Sequence, residues 1–415
     1  MAEAGGRRAR LGAVFTNREF QALFVAQLLS MMGDQLARVA VSMLVYERTD
    51  SAGWTAVTYG LTYLPDLVSG PLLSGLADRY PRRAVMVTTD IARAMLVAVM
   101  AVPGLPLWVA AVLLVGVQAL GAPHGAARGA TLAAALTGDR YVVGAAAQDV
   151  MVQSSQVAGF ALGGLVVAGM GIGEGLLLDA GTFVVSAVLV RLGVRARPAA
   201  HLAAATSRSS ATWSWWGSLS TGLVLVVGNR RLRALLGLAC VAGAYVTVEG
   251  LAVPYAGEIG EGIAAAGLLL AASPAGTVVG TVLVARLNPQ LRLRLMGPLA
   301  VAACLPLVLC AWRPGLVLTV ALWALSGAAA GYHVVARSLF VRLVPDHHRG
   351  QCLGLAVTAL KTAQGAGIML AGLMATATST SSVVAAAGGI GALGALLATT
   401  AWQRANAEPA PDRGA

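Results

Sequence analysis

The chain has 415 residues, of which 57% are hydrophobic and 11% charged, with a net charge of +11. Soluble domains carry about 25% charged residues, so a water-soluble globular fold is excluded: it could not hide this much apolar surface. The positive charge falls in short segments between apolar stretches, which points to membrane topology rather than to a nucleic-acid partner.

Apolar stretches of about 20 residues, the length that crosses roughly 30 Å of hydrocarbon, recur along the chain. They predict an all-α membrane protein of about twelve transmembrane helices. In chain order, spans 1 to 6 fall near 20–46, 54–77, 84–102, 107–127, 145–169 and 175–192. Spans 7 to 12 fall near 232–256, 262–285, 295–312, 315–340, 352–376 and 382–403. The charged segment 1–19 runs into span 1 without an Ala-x-Ala-like cleavage site, so span 1 is expected to remain in the protein. Cys240, Cys304, Cys310 and Cys352 lie in or beside apolar spans at no metal-ligand spacing and read as small core hydrophobes.

Cytoplasmic loops retain Lys and Arg. Placing the N-terminus in the cytoplasm leaves only Arg48 and Arg313 on the outside, so both termini and the loop 193–231 are expected to be cytoplasmic. The expected organisation is an N-terminal segment 1–19, a six-helix half 20–192, a central loop 193–231, a second half 232–403 and a tail 404–415. Within the loop, Trp213, Trp215 and Trp216 followed by Leu219, Leu223 and Val227 suggest an amphipathic helix in the headgroup region.

The two halves resemble each other. Gln156-Val-Ala-Gly-Phe-Ala-Leu-Gly-Gly-Leu165 matches Gln364-Gly-Ala-Gly-Ile-Met-Leu-Ala-Gly-Leu373 at an offset of 208. His124 and Arg128 recur as His333 and Arg337, and Asn17-Arg18 recurs as Asn229-Arg230. Two parallel six-helix repeats follow, with a substrate site expected between them.

The loop after span 2 reads Ser74-Gly75-Leu76-Ala77-Asp78-Arg79-Tyr80-Pro81-Arg82-Arg83. It resembles the signature loop of the major facilitator superfamily, Gly-x-Leu-Ala-Asp-Arg-x-Gly-Arg-Lys. That resemblance implies the major facilitator fold and a gating role for Asp78, Arg79, Arg82 and Arg83, with Asp78 reaching the start of span 11 around Gly350 and Gln351 when the cytoplasmic side is closed. Further strings are similar to the drug:proton antiporter branch that includes macrolide-efflux proteins and the enterobactin exporter. They are Gly33-Asp34-Gln35, Asp90-Ile-Ala-Arg93, Leu178-Asp179-Ala180-Gly-Thr-Phe183 and Pro345-Asp346-His-His-Arg349-Gly350. The antiporter motif of span 5 is only partly present, as Gly159-x-x-x-Gly163-Gly164 without its proline, and the basic residue expected in span 4 is missing.

An ionisable residue at bilayer depth costs a few kcal/mol even on the lenient insertion scale, so each needs a partner or a job. Asp34 and Arg38 stand four residues apart on one face of span 1 and read as a pair, either static or coupled to a proton. Asp66 follows Pro65 in mid-span 2, where it could bind a cation or a proton or be held within the bundle. Lys361 is the single lysine of the chain, in mid-span 11, with Gln153 as its repeat counterpart. It suits ion pairing, substrate binding or coupling. Asp149 and Glu249 are further candidates, toward the cytoplasm and the outside. Asp90 and Arg93 are expected near the cytoplasmic face, paired with each other or with the signature loop, and Asp179 near an outer end in a structural role.

No soluble catalytic domain, phosphate loop, nucleophile motif or metal constellation is readable, so an enzyme is not expected. The resemblance implies a secondary transporter exporting a small amphipathic organic compound by proton antiport through alternating access. It would sit as a multi-pass monomer in a bacterial inner membrane, with protons and lipids as partners and a proton gradient in place of any cofactor. An importer or facilitator, or a non-transporting membrane sensor or scaffold, is the alternative.

Overall fold

A computed structural model describes residues 11–63, 65, 69, 76–136, 139–197, 215–345 and 348–407. Every regular element among them is helical. The helices that match the sequence spans are labelled α1 (Arg18–Thr49), α2 (Ala52–Gly60), α3 (Arg82–Met100), α4 (Leu107–Ala135), α5 (Asp139–Met170) and α6 (Ile172–Gly193). The second half supplies α7 (Arg230–Glu258), α8 (Ile263–Arg286), α9 (Pro289–Trp312), α10 (Leu316–Leu343), α11 (Arg349–Ala375) and α12 (Thr380–Ala407).

Among the described residues, 10 helices are long and apolar enough to cross a membrane. Of the two spans outside that set, α3 has a local cause, and span 2 is described only in part. Helix α3 carries Arg82, Arg83, Asp90 and Arg93 within its 19 residues, which dilutes its hydropathy. Helix α2 gives way to a turn at 61–63, just ahead of Pro65. A proline ring crowds the carbonyl four residues before it, here that of Leu61, and removes the hydrogen bond it would receive.

The chain forms two compact units, Met1–Ala40 with Val68–Ser210 and Val41–Leu67 with Ala211–Ala415. In the first, α6 packs along α3, and Leu23, Met86, Ala127 and Val190 join α1, α3, α4 and α6 in one core cluster. In the second, α8 packs along α10, while α2, α7 and α12 gather around α11. Polarity runs opposite to that of a soluble protein: Asp90, Arg93, His124 and Asp179 are buried, while Val184, Val188, Leu192, Leu393 and Leu397 are exposed. Apolar outer faces suit hydrocarbon, and this chain is an integral membrane protein. Cys304, Cys310 and Cys352 are buried and Cys240 is half-buried, all as free thiols.

The sequence repeat has structural content. Asn17 and Asn229 cap equivalent helices: the Asn17 Oδ1 accepts from the Glu19 N–H at 2.9 Å and the Phe20 N–H at 3.3 Å. The Asn229 Oδ1 accepts from the Arg231 N–H at 3.0 Å and the Leu232 N–H at 3.3 Å. Each satisfies first-turn donors that have no carbonyl partner within the helix. Asn229→Ala is expected to cost about 1 kcal/mol and Asn229→Asp much less, read as the thermal unfolding midpoint in detergent. Likewise, Gly159 lies against the Met32 carbonyl of α1, and its counterpart Gly367 lies against Gly243 of α7. Small residues let membrane helices approach backbone to backbone.

The central loop contributes a helix, Trp215–Gly228, where the sequence suggests one. Trp213 lies outside the described residues, as do the Trp215 and Trp216 side chains.

Candidate functional site

In the first unit, polar groups converge where α1, α3 and α6 meet. The Arg93 Nη2 of α3 donates to both carboxylate oxygens of Asp34 on α1, at 2.9 and 3.1 Å. The Arg93 side chain is 6% exposed and that of Asp34 21%, so the pair is largely withdrawn from solvent. The guanidinium also lies 4.1 Å from the ring centroid of Phe183 on α6, a cation–π contact. A residue without Cβ is needed beside Asp34, because one at Gly33 would strike the Asp179 carboxylate and the Thr182 hydroxyl of α6.

Asp90, one turn before Arg93, turns elsewhere. Its Oδ2 accepts from the Ser186 hydroxyl at 2.7 Å, and His124 Nδ1 of α4 stands 3.4 Å from its Oδ1. Arg128 of α4 donates to the Gln148 side chain of α5 at 3.3 Å. Thus α1, α3, α4, α5 and α6 all contribute polar side chains to the interior of this unit.

The second unit holds a different set. Glu249 Oε2 of α7 accepts from the Tyr59 hydroxyl of α2 at 3.0 Å and from the Tyr63 hydroxyl at 2.9 Å. Lys361 Nζ of α11 lies 4.9 Å from the Tyr63 ring centroid. A carboxylate, a cation and two phenol rings therefore stand together around Tyr63. Nearby, His333 Nε2 meets the Tyr245 hydroxyl at 2.7 Å and stacks on Tyr332 with ring centroids 4.4 Å apart. Where α7 ends and α12 begins, Glu258 takes Arg313 Nε at 2.9 Å and both the N–H and O–H of Ser381, at 3.1 and 2.6 Å.

Several expectations change. Asp34 takes its cation from Arg93 on another helix rather than from Arg38, which is half-buried one turn further along α1. Asp90 and Arg93 do not pair with each other, and Arg93 lies midway along α3 rather than near an end, because that helix begins at Arg82. Asp179, in the N-terminal half of α6, is fully buried beside the Asp34–Arg93 pair. Gln153 is half-buried on α5. Asp66 lies outside the described residues, as do the side chains of Asp78 and Asp149.

In the signature loop, Leu76–Arg79 forms one helical turn with Arg79 exposed. Arg82 donates to the Ala130 carbonyl at 3.0 Å and Arg83 to the Val194 carbonyl at 3.3 Å. The Arg83 guanidinium thereby sits at the C-terminal end of α6, where the helix dipole favours positive charge.

Tyr59, Tyr63, Ser186 and His124 were not singled out as site residues. The available signal was the four-residue spacing of Tyr59 and Tyr63, which puts two hydroxyls on one helix face inside an apolar span.

Membrane-length helices duplicated in sequence, with polar groups buried between them, are features of secondary-transporter folds. The sequence profile of the Major Facilitator Superfamily matches residues 23–319 and 235–415, and the chain belongs to that family. Solved structures of similar fold include a bacterial homologue of the human lysosomal transporter Spinster, at 15% identity and a TM-score of 0.66, covering 94% of this chain and 95% of that one. A POT family transporter in complex with 5-aminolevulinic acid aligns at 11% identity and a TM-score of 0.72, covering 94% and 97%. The nucleoside transporter NupG aligns at 13% identity and a TM-score of 0.71, covering 94% and 100%. At these identities the likeness is one of fold. No curated protein matches the sequence.

Proposed function

We propose that this chain is a secondary active transporter, not an enzyme, which exports a small amphipathic organic compound by proton antiport with alternating access. The observation that carries the reading is the buried Asp34–Arg93 ion pair between α1 and α3. A carboxylate held by an arginine inside an apolar bundle has two low-cost states, ionised and paired or protonated and released, and a proton arriving at Asp34 converts one into the other. The free guanidinium must then find another acceptor, which ties the proton to a rearrangement of helices.

The second unit supplies the substrate-facing chemistry in this reading. Glu249, the rings of Tyr59 and Tyr63, and Lys361 offer a negative group, a positive group and flat apolar faces within one cluster. Such a set suits an amphipathic organic molecule with a polar or charged end. The arginine distribution supports cytoplasmic termini and residence in a bacterial inner membrane. The protein acts as a monomer among lipids.

Purified protein in proteoliposomes with an imposed pH gradient, presented with a panel of amphipathic compounds, is expected to move at least one compound against its gradient. Asp34→Asn is expected to reduce that accumulation to the level of empty vesicles while counterflow of the same compound continues. Gradient-driven accumulation that survives in Asp34→Asn would remove this residue from coupling, and flux indifferent to the gradient across the panel would remove antiport.

A further inference from the structure

We propose that Asp179 of α6 is a second proton-binding carboxyl, which holds its proton while Arg93 is on Asp34 and loses it when Arg93 turns to α6. The inference rests on the coupling role given above to the Asp34–Arg93 pair and adds the acceptor that such a role requires.

Asp179 is 0% exposed. Its Oδ1 receives one long hydrogen bond, from the Thr182 hydroxyl at 3.3 Å, and its Oδ2 has no hydrogen-bond partner among the described residues. An ionised carboxylate so placed would carry a buried charge with almost nothing to stabilise it, whereas the acid form carries none. On the opposite side, Arg93 keeps its Nε–H buried and unspent while both contacts to Asp34 run through Nη2. Its guanidinium already rests on Phe183, one turn beyond Asp179 on α6. Asp179 Oδ1 stands against α1 at Gly33, the residue before Asp34.

The charges facing the cluster are few. Asp34 comes from α1, Arg93 and Asp90 from α3, and His124 and Arg128 from α4. Asp90 Oδ2 is taken by Ser186 while its Oδ1 stands 3.4 Å from His124 Nδ1 without a hydrogen bond, and Arg128 is on Gln148. Among the described residues Arg93 is the guanidinium seen between Asp34 and α6, so in this scheme it serves one of the two acids at a time while the other is neutral. When Asp34 takes a proton from water, an O–H bond forms there and the ion pair breaks. Arg93 moves to Asp179, whose O–H bond breaks and whose proton goes to water. Both states hold one carboxylate, one carboxyl and one guanidinium, so no extra charge is buried at either stage.

Infrared difference spectroscopy of the protein in lipid vesicles without substrate tests this. Parent minus Asp179→Asn is expected to show one protonated-carboxyl C=O band. The same subtraction in an Asp34→Asn background is expected to show carboxylate bands instead, because Arg93 is then free for Asp179. Thr182→Val is expected to shift the band without removing it, which identifies it even where Asp179→Asn does not fold. No protonated-carboxyl band in the first subtraction, together with no shift in Thr182→Val, overturns the site; a protonated band surviving in the second overturns the exchange. Because the spectra need neither substrate nor gradient, absence of transport with both subtractions as expected would count against antiport alone, and gradient-driven flux without the band would count against Asp179 alone.

Discussion

Arg93→Met is expected to lower stability by about 3–5 kcal/mol, the usual cost of removing one partner from a buried ion pair. Methionine fills a similar volume, so the loss is electrostatic and not steric. The Asp34 carboxylate, 21% exposed, loses the Nη2 donor that reaches both of its oxygens. Asp90 and Asp179, both buried beside the pair, lose a nearby positive charge. The sharper expectation concerns the double variant: Asp34→Asn combined with Arg93→Met removes both charges and should unfold later on heating in detergent than Arg93→Met alone. Additive losses would mean that the two side chains do not depend on each other, and the coupling reading would lose its physical basis.

That pair also shows what the sequence could and could not disclose. Hydropathy located most span ends to within a few residues because a bilayer imposes a length of apolar chain, although α4 runs on to Ala135 and α5 starts at Asp139. The repeat was legible in Asn17 and Asn229, whose capping role makes the same residue useful at both sites. The partner of Asp34 was not legible. Helical spacing identifies neighbours on the same helix, which is why Arg38 stood out, but the cation that reaches Asp34 lies 59 positions away on α3. Which face of α3 meets α1 depends on packing among several helices, and a spacing rule within one helix carries no information about it. The same limit hid Tyr59 and Tyr63, since tyrosines in an apolar span read as core until a carboxylate from α7 is seen between their hydroxyls.

The cluster in the second unit exists because α2, α7 and α11 approach closely, and glycines set that approach. Gly367 of α11 faces the Gly243 backbone of α7, and Gly243 in turn faces the Ala363 backbone of α11. Lys361 lies between one and two turns before Gly367, and Glu249 follows Gly243 by six residues. Spacing between α7 and α11 therefore decides the distance between the lysine and the carboxylate. Gly367→Leu places a branched side chain where backbone now stands, and α11 must move away from α7. Overpacking of this kind costs about 1–3 kcal/mol or more, read as a lower unfolding midpoint. It should also weaken binding of any compound that the panel identifies, through displacement of Lys361. Gly354→Leu on the same helix is the control, because a Cβ there meets nothing within 4 Å; its midpoint and binding should stay with the parent. Equal effects from the two leucines would mean that bulk on α11 as such is disruptive, and that the glycine contact does not position the site.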